Sequence, residues 1–177
     1  MKVQEFRDKY PPGDYSGFVE AYLEIAYRFM DVSVQNHRAT GDNLEDINEH
    51  VIVLQDPETL LNTYETPIVM TWLDAVSPEP ATISTDQGTA NFRQVVWTKD
   101  IDAREGQAHA LFRAMIFALS IANNIENDRE LINGTGKAVA TDTRVTQIAP
   151  DTTVPSGSGL KFTALDAEVE YKRRQPR

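Results

Sequence analysis

The chain has 177 residues, 41% of them hydrophobic and 25% charged, enough for one globular domain with a sizeable core. It contains no cysteine, so disulfides, thiolate metal sites and cysteine nucleophiles are excluded, which suits a reducing, intracellular setting. A net charge of −10 and a pI near 4.7 repel phosphate, arguing against duplex DNA or RNA as a directly bound ligand.

The opening MKVQEFRDKYPPGDY lacks the apolar run of a secretory leader, so none is expected. Residues 1–13 read as an N-terminal arm closed by the breaker Pro11-Pro12-Gly13. Asp14 or Ser16 can then cap a helix running to about His37. Phe18, Tyr22, Ile25, Phe29 and Val32 recur at steps of four and three and draw one apolar stripe. Glu20, Glu24, Arg28, Asp31 and Gln35 fall opposite, predicting a helix with a single buried face, with Glu24 and Arg28 at a favourable i,i+4 spacing.

Residues 40–49 are acidic and turn-rich, and Val51 to Leu54 is a short β-prone run. Pro57 to Glu65 fits either a helical turn or an irregular crossing. Pro67 to Val76 hardly alternates and predicts a strand buried on much of both faces, stopped by Ser77-Pro78-Glu79-Pro80. Phe92 to Thr98 is the next strand. Asp102-Ala103-Arg104-Glu105 fits a capping box opening a second helix to about Asn127. Its middle, Leu111 to Ile121, is apolar nearly all round, so one side needs a sheet and the other needs the first helix or another subunit. The apolar run Ala110 to Ala122 rises about 20 Å on a helix, short of the roughly 30 Å bilayer core, so no membrane span is expected.

Lys137 to Ile148 is β-prone, Pro150 to Gly159 has the composition of a mobile loop, and Leu165 to Lys172 alternates as a strand with one wet face. Upstream, Leu160, Phe162 and Ala164 have the opposite parity, which suggests a bulge or bend near Ala164-Leu165. The fold class expected is α+β: a mainly antiparallel sheet of four to five strands packed by two long helices. The domain would span 14–172, between the arm and a basic C-terminal tail, 173–177.

Chemistry-bearing motifs are weak. His37, His50 and His109 share no ligand spacing. Asn133-Gly134-Thr135-Gly136-Lys137 departs from a phosphate loop at Leu131 and Ala138. Ser158 lacks a nucleophile elbow, and Asp42, Glu45, Asp46 and Glu49 fail the calcium-loop pattern. Catalytic residues, metals and cofactors are therefore not expected. Protein contacts are expected instead at the arm (Phe6, Tyr10), the late loop (Thr153, Val154, Ser156, Ser158) and the basic end (Arg173, Arg174).

With VVWTKDIDAREGQAHALFRAMIFAL at its centre and FTALDAEVEYKRR near its end, the chain resembles the tail terminator (tail-completion, neck) proteins of long-tailed bacteriophages over residues 16–172. The resemblance implies a virion protein, made in the host cytoplasm, that forms a ring with copies of itself, usually six. Such a ring caps the tail-tube protein and joins it to the head–tail connector or stopper protein, and DNA passes through without specific binding. The longer Gln147-to-Gly159 loop and the arm before Pro11 depart from the family pattern. Another neck or head-completion adaptor, a tail-tube subunit, a standalone cellular α+β binding module and a small carboxylate enzyme stay open as alternatives.

Overall fold

The computed structural model describes residues 1–15, 17–34, 44, 47–54, 57–79, 85–99, 106–151 and 159–174. In chain order the elements are α1 (Val3–Lys9), α2 (Gly17–Ser33), β1 (Glu49–Ile52), α3 (Pro57–Thr63), β2 (Ile68–Glu79), β3 (Thr85–Lys99), α4 (Gly106–Asn127), β4 (Asp142–Asp151) and β5 (Leu160–Arg174). The strands form one sheet in the order β1-β2-β3-β5-β4, with β1 and β2 parallel and every other pair antiparallel. The fold is α+β, a mainly antiparallel five-stranded sheet carrying two long helices of 17 and 22 residues.

Strand periodicity decides what each face buries. Leu165, Ala167, Val169 and Tyr171 of β5 share one face with Ala90, Phe92 and Val96 of β3 and Val69 of β2, and this face receives the helices. From α2 come Ile25, Phe29 and Val32, with Phe29 stacked on Phe92 at 4.6 Å between ring centroids. From α4 come Phe117, Ile121 and Ile125. The two helices run antiparallel, since Arg28 pairs with Asp128 at 2.9 Å while the Asn124 amide donates to the Ser33 carbonyl at 3.2 Å. On the opposite face, Leu60 of α3 packs on Val51, Ile68 and Met70, and Trp72 and Trp97 are partly buried against this cluster.

Several expectations change. The arm expected over residues 1–13 contains α1, which folds back on α2 instead of reaching outward. Phe6 lies 4.8 Å from the Tyr10 ring and 6.0 Å from the Tyr27 ring, and the Arg7 guanidinium bonds Asp31 at 2.6 Å. The backbone also pairs there, with Lys2 bridged to Val51 and the Ile52 N–H donating to Met1. The expected capping box at Asp102 to Glu105 lies outside the described residues. Strand β2 does not stop at Pro78. It continues to Glu79, with Pro78 opposite Gly88, because past β1 it is an edge strand and the missing N–H of proline costs no ladder bond there. Its burial on both faces covers only Ile68 to Thr71.

No bulge interrupts β5. It pairs with β3 in unbroken register from Leu160 to Arg174, and the register shifts lie at Leu73/Val76 of β2 and Val145/Gln147 of β4. What switches near Ala164 is chemistry, not geometry. Lys161 and Thr163 occupy the helix-side face, and Leu160, Phe162 and Ala164 occupy the other. The basic end is likewise no free tail through Arg174, because Arg173 and Arg174 lie in β5 opposite Asp86 and Thr85.

Candidate interaction surface

Helix α4 is where the apolar sequence exceeds what the fold buries. Ala110, Ala114, Phe117, Ala118, Ile121 and Ile125 face the sheet and α2. Phe112, Ile116 and Leu119 remain 57%, 43% and 50% exposed, at spacings of four and three, so they form one stripe along the outer side of the helix. The helix expected to be half wet is instead the better covered one: Ala21, Leu23, Ala26, Tyr27 and Met30 of α2 are buried along with Ile25, Phe29 and Val32 of its predicted stripe, and Tyr22 is half-buried. Even Glu20 is 7% exposed, its Oε1 accepting from the Gly13 N–H at 2.8 Å.

A second apolar area lies on the open face of the sheet. The Trp97 and Phe162 rings meet at a tilt of 39° with centroids 4.4 Å apart, and Trp72, Leu160 and Ala164 are also partly buried there. The Trp97 Nε1–H is buried without an acceptor. Beyond this patch the same face turns ionic. Arg93 binds Asp166 in bidentate fashion at 2.6 and 2.9 Å, and Arg144 pairs with Glu168. Burial of apolar residues gives way to exposed charge pairs within one strand, which marks the border of the patch.

The sheet edges are occupied or blocked. Residues 1 and 2 cover β1. Pro78 and the bulge before Val76 break the free half of β2. On β4, Arg129 Nε donates to the Thr143 carbonyl at 3.2 Å, Glu126 Oε1 accepts from the Val145 N–H at 3.2 Å, and Pro150 carries no N–H. Edges so managed resist strand-to-strand association, which leaves faces as the surfaces available for docking.

The interior carries a polar seam between the helices and the sheet. Gln94 Nε2 donates to Ser33 Oγ at 2.9 Å and to Thr71 Oγ1 at 3.0 Å, and Thr71 Oγ1 lies 2.7 Å from His50 Nε2. Burial, helped by nearby Arg7, lowers the His50 pKa to about 3, in accord with a neutral ring. Tyr22, facing the core beside Phe92, has its pKa pushed up to about 12 by burial.

Of the sequence-predicted contact residues, the structure places Phe6 and Tyr10 at the α1–α2 hairpin and Arg173 and Arg174 in β5. Phe6 is 7% exposed and spent on the α1–α2 hairpin, so it is corrected from a contact to a core residue. The Tyr10 carbonyl accepts from the Tyr27 hydroxyl at 2.5 Å, tying it to the same hairpin. Thr153, Val154, Ser156 and Ser158 lie outside the described residues. Among the described residues no group of three or more His, Asp or Glu side chains is placed to hold a metal, and no helix is long and apolar enough to cross a membrane. His37, Asp42, Glu45 and Asp46 lie outside the described residues, and Glu49 is paired with Lys2 at 2.5 Å. The 133–137 loop spends its own donors, with Asn133 Oδ1 accepting from the N–H groups of Thr135 and Lys137 at 3.0 and 2.9 Å. A groove of about 270 Å³ beside that loop is lined by Ile25, Val139, Lys137, Lys172 and a single carboxylate, Glu24.

No protein-family model matches the chain, and no curated protein matches it.

Proposed function

We propose that this protein is a structural subunit that assembles with copies of itself into a ring at the head–tail junction of a long-tailed phage. There it ends the tail tube and joins it to the connector. The observation that carries the reading is the exposed apolar stripe Phe112, Ile116 and Leu119 on the longest helix of an acidic domain. Contiguous apolar side chains rimmed by polar residues mark protein-docking surfaces more often than any chemistry. The guarded edges of β1, β2 and β4 favour association through faces, as a ring of compact subunits needs. The net charge of −10 suits a collar through which DNA slides without sticking. The resemblance of the central and final segments to tail terminators supplies the head–tail setting.

The deciding experiment is electron microscopy of particles produced by a phage from which this coding sequence has been deleted. Tails of uncontrolled length, or heads without tails, are expected. Infectious particles of normal tail length would end this reading.

A further inference from the structure

Most basic side chains of this acidic protein are spent on carboxylates: Lys2, Arg7, Arg28, Arg93, Arg129 and Arg144 each hold one. Lys137 and Lys172 are different. Both are exposed, neither side chain has an ion-pair partner among the described residues, and both line the groove of about 270 Å³ against α2. One comes from the loop before β4 and the other from near the end of β5, and they flank an apolar strip of Ala21, Ile25 and Val139. A second groove, of about 240 Å³, adjoins the first through Glu24 and Val139 and carries Arg7, Arg28 and Asn133. We infer that the cleft these two grooves make, between α2 and the 133–139 loop, docks an extended acidic peptide segment of another protein. The inference stands apart from the ring reading.

Three observations carry it. The first is charge. Among the described residues that line them, the two grooves present four bases, Arg7, Arg28, Lys137 and Lys172, against two carboxylates, Glu24 and Asp31, on a chain of net charge −10. Arg7 and Arg28 are committed to Asp31 and Asp128, so the two ammonium groups are what an incoming carboxylate meets. Charges more than about 8 Å away are screened at physiological salt, so these lysines outweigh the acidic remainder of the surface. The second is shape. Glu24, Arg28 and Asp31 mark the α2 side of the cleft over seven residues of helix, roughly 10 Å. That length suits about three residues of extended chain, whereas a compact anion occupies one groove alone. The third is the wall. Ile25 and Val139 offer apolar side chains a surface, and Gly134 keeps the rim open, with nothing within 4 Å of where its Cβ would stand. A polarity follows. Glu24 sits between the grooves and repels a carboxylate there, so the acids of the segment gather at the Lys137 and Lys172 end.

The test is fluorescence anisotropy with the full chain and a fluorescein-labelled hexapeptide, two leucines followed by four glutamates. The same peptide with glutamine for glutamate is the neutral control, and citrate is the compact competitor. The acidic peptide is expected to bind and its neutral counterpart not. Lys137→Gln and Lys172→Gln, each checked for fold by circular dichroism, should each weaken binding about two- to fivefold. Glu24→Gln should strengthen it by a similar factor, and Lys99→Gln, on an exposed β3 lysine outside the cleft, should leave it unchanged. An acidic peptide that fails to bind overturns the inference, as does binding that survives replacement of both lysines. Citrate displacing the label as effectively as unlabelled peptide overturns it too, because the site would then take a small anion. The deletion phenotype decides the head–tail reading separately from any of these outcomes.

Discussion

Arg129 reaches from just past the end of α4 to the Thr143 carbonyl at 3.2 Å, with a second nitrogen 2.8 Å from Asp142. One side chain thus satisfies a backbone acceptor on the last strand of the sheet and anchors beside it. Glu126 does the complementary work for the Val145 N–H. Replacing both by alanine bares a donor and an acceptor on an edge strand. The double variant should lose about 1–2 kcal/mol of stability and gain aggregation on mild heating, read by light scattering and thioflavin fluorescence. Unchanged scattering would show that Pro150 and the bulge suffice to guard β4.

Gly88 sits where three chain segments converge. A Cβ there would fall 2.6 Å from the Ser77 carbonyl oxygen, 2.9 Å from the Tyr171 hydroxyl and 3.1 Å from the Pro78 Cα. Two of those three atoms belong to backbone and cannot swing aside. Gly88→Ala is expected to destabilise the fold by about 1–3 kcal/mol, seen as a lower urea midpoint with an unchanged slope.

Gln94 is fully buried and links Ser33 to Thr71 with both protons of its amide, while its Oε1 has no partner. Gln94→Ala removes two hydrogen bonds and opens a cavity between α2 and the sheet, at a cost on the order of 2–4 kcal/mol. Ser33→Ala and Thr71→Val each remove one member of the seam, and their effects should not add to that of Gln94→Ala. Strict additivity in chemical denaturation would show that the seam does not act as a unit.

His50 predicts a pH dependence of definite sign. Its folded pKa, about 3, lies below its usual value of 6.5, so between those limits the unfolded chain binds the extra proton. Stability therefore falls as pH drops below about 6.5 and goes on falling toward about 3. His50→Gln should flatten this part of the curve, and urea midpoints at pH 7, 6, 5 and 4 measure the difference. Parallel curves for the two proteins would exclude His50 as the source.

Sequence periodicity by itself determined the α+β class, the buried stripe Ile25, Phe29 and Val32, the alternation of Leu165 to Tyr171, and a central helix too greasy for one sheet to cover. Each of these follows from local spacing, where a period of 3.6 or 2 places side chains on one face. The helical nature of residues 3–9 was not legible, because seven residues are too short for a pattern and α1 is held by long-range contacts of Phe6 and Arg7 with α2. Nor could spacing show that Leu160, Phe162 and Ala164 face out without a bulge, since a parity switch reads the same whether the backbone bends or the burden of burial changes sides. Tertiary packing alone decided which helix kept an apolar face in the open. The covering of α2 by α1, α4 and the sheet used the contacts that the stripe Phe112, Ile116 and Leu119 would have needed, because a helix face is buried only by what the chain brings back across it.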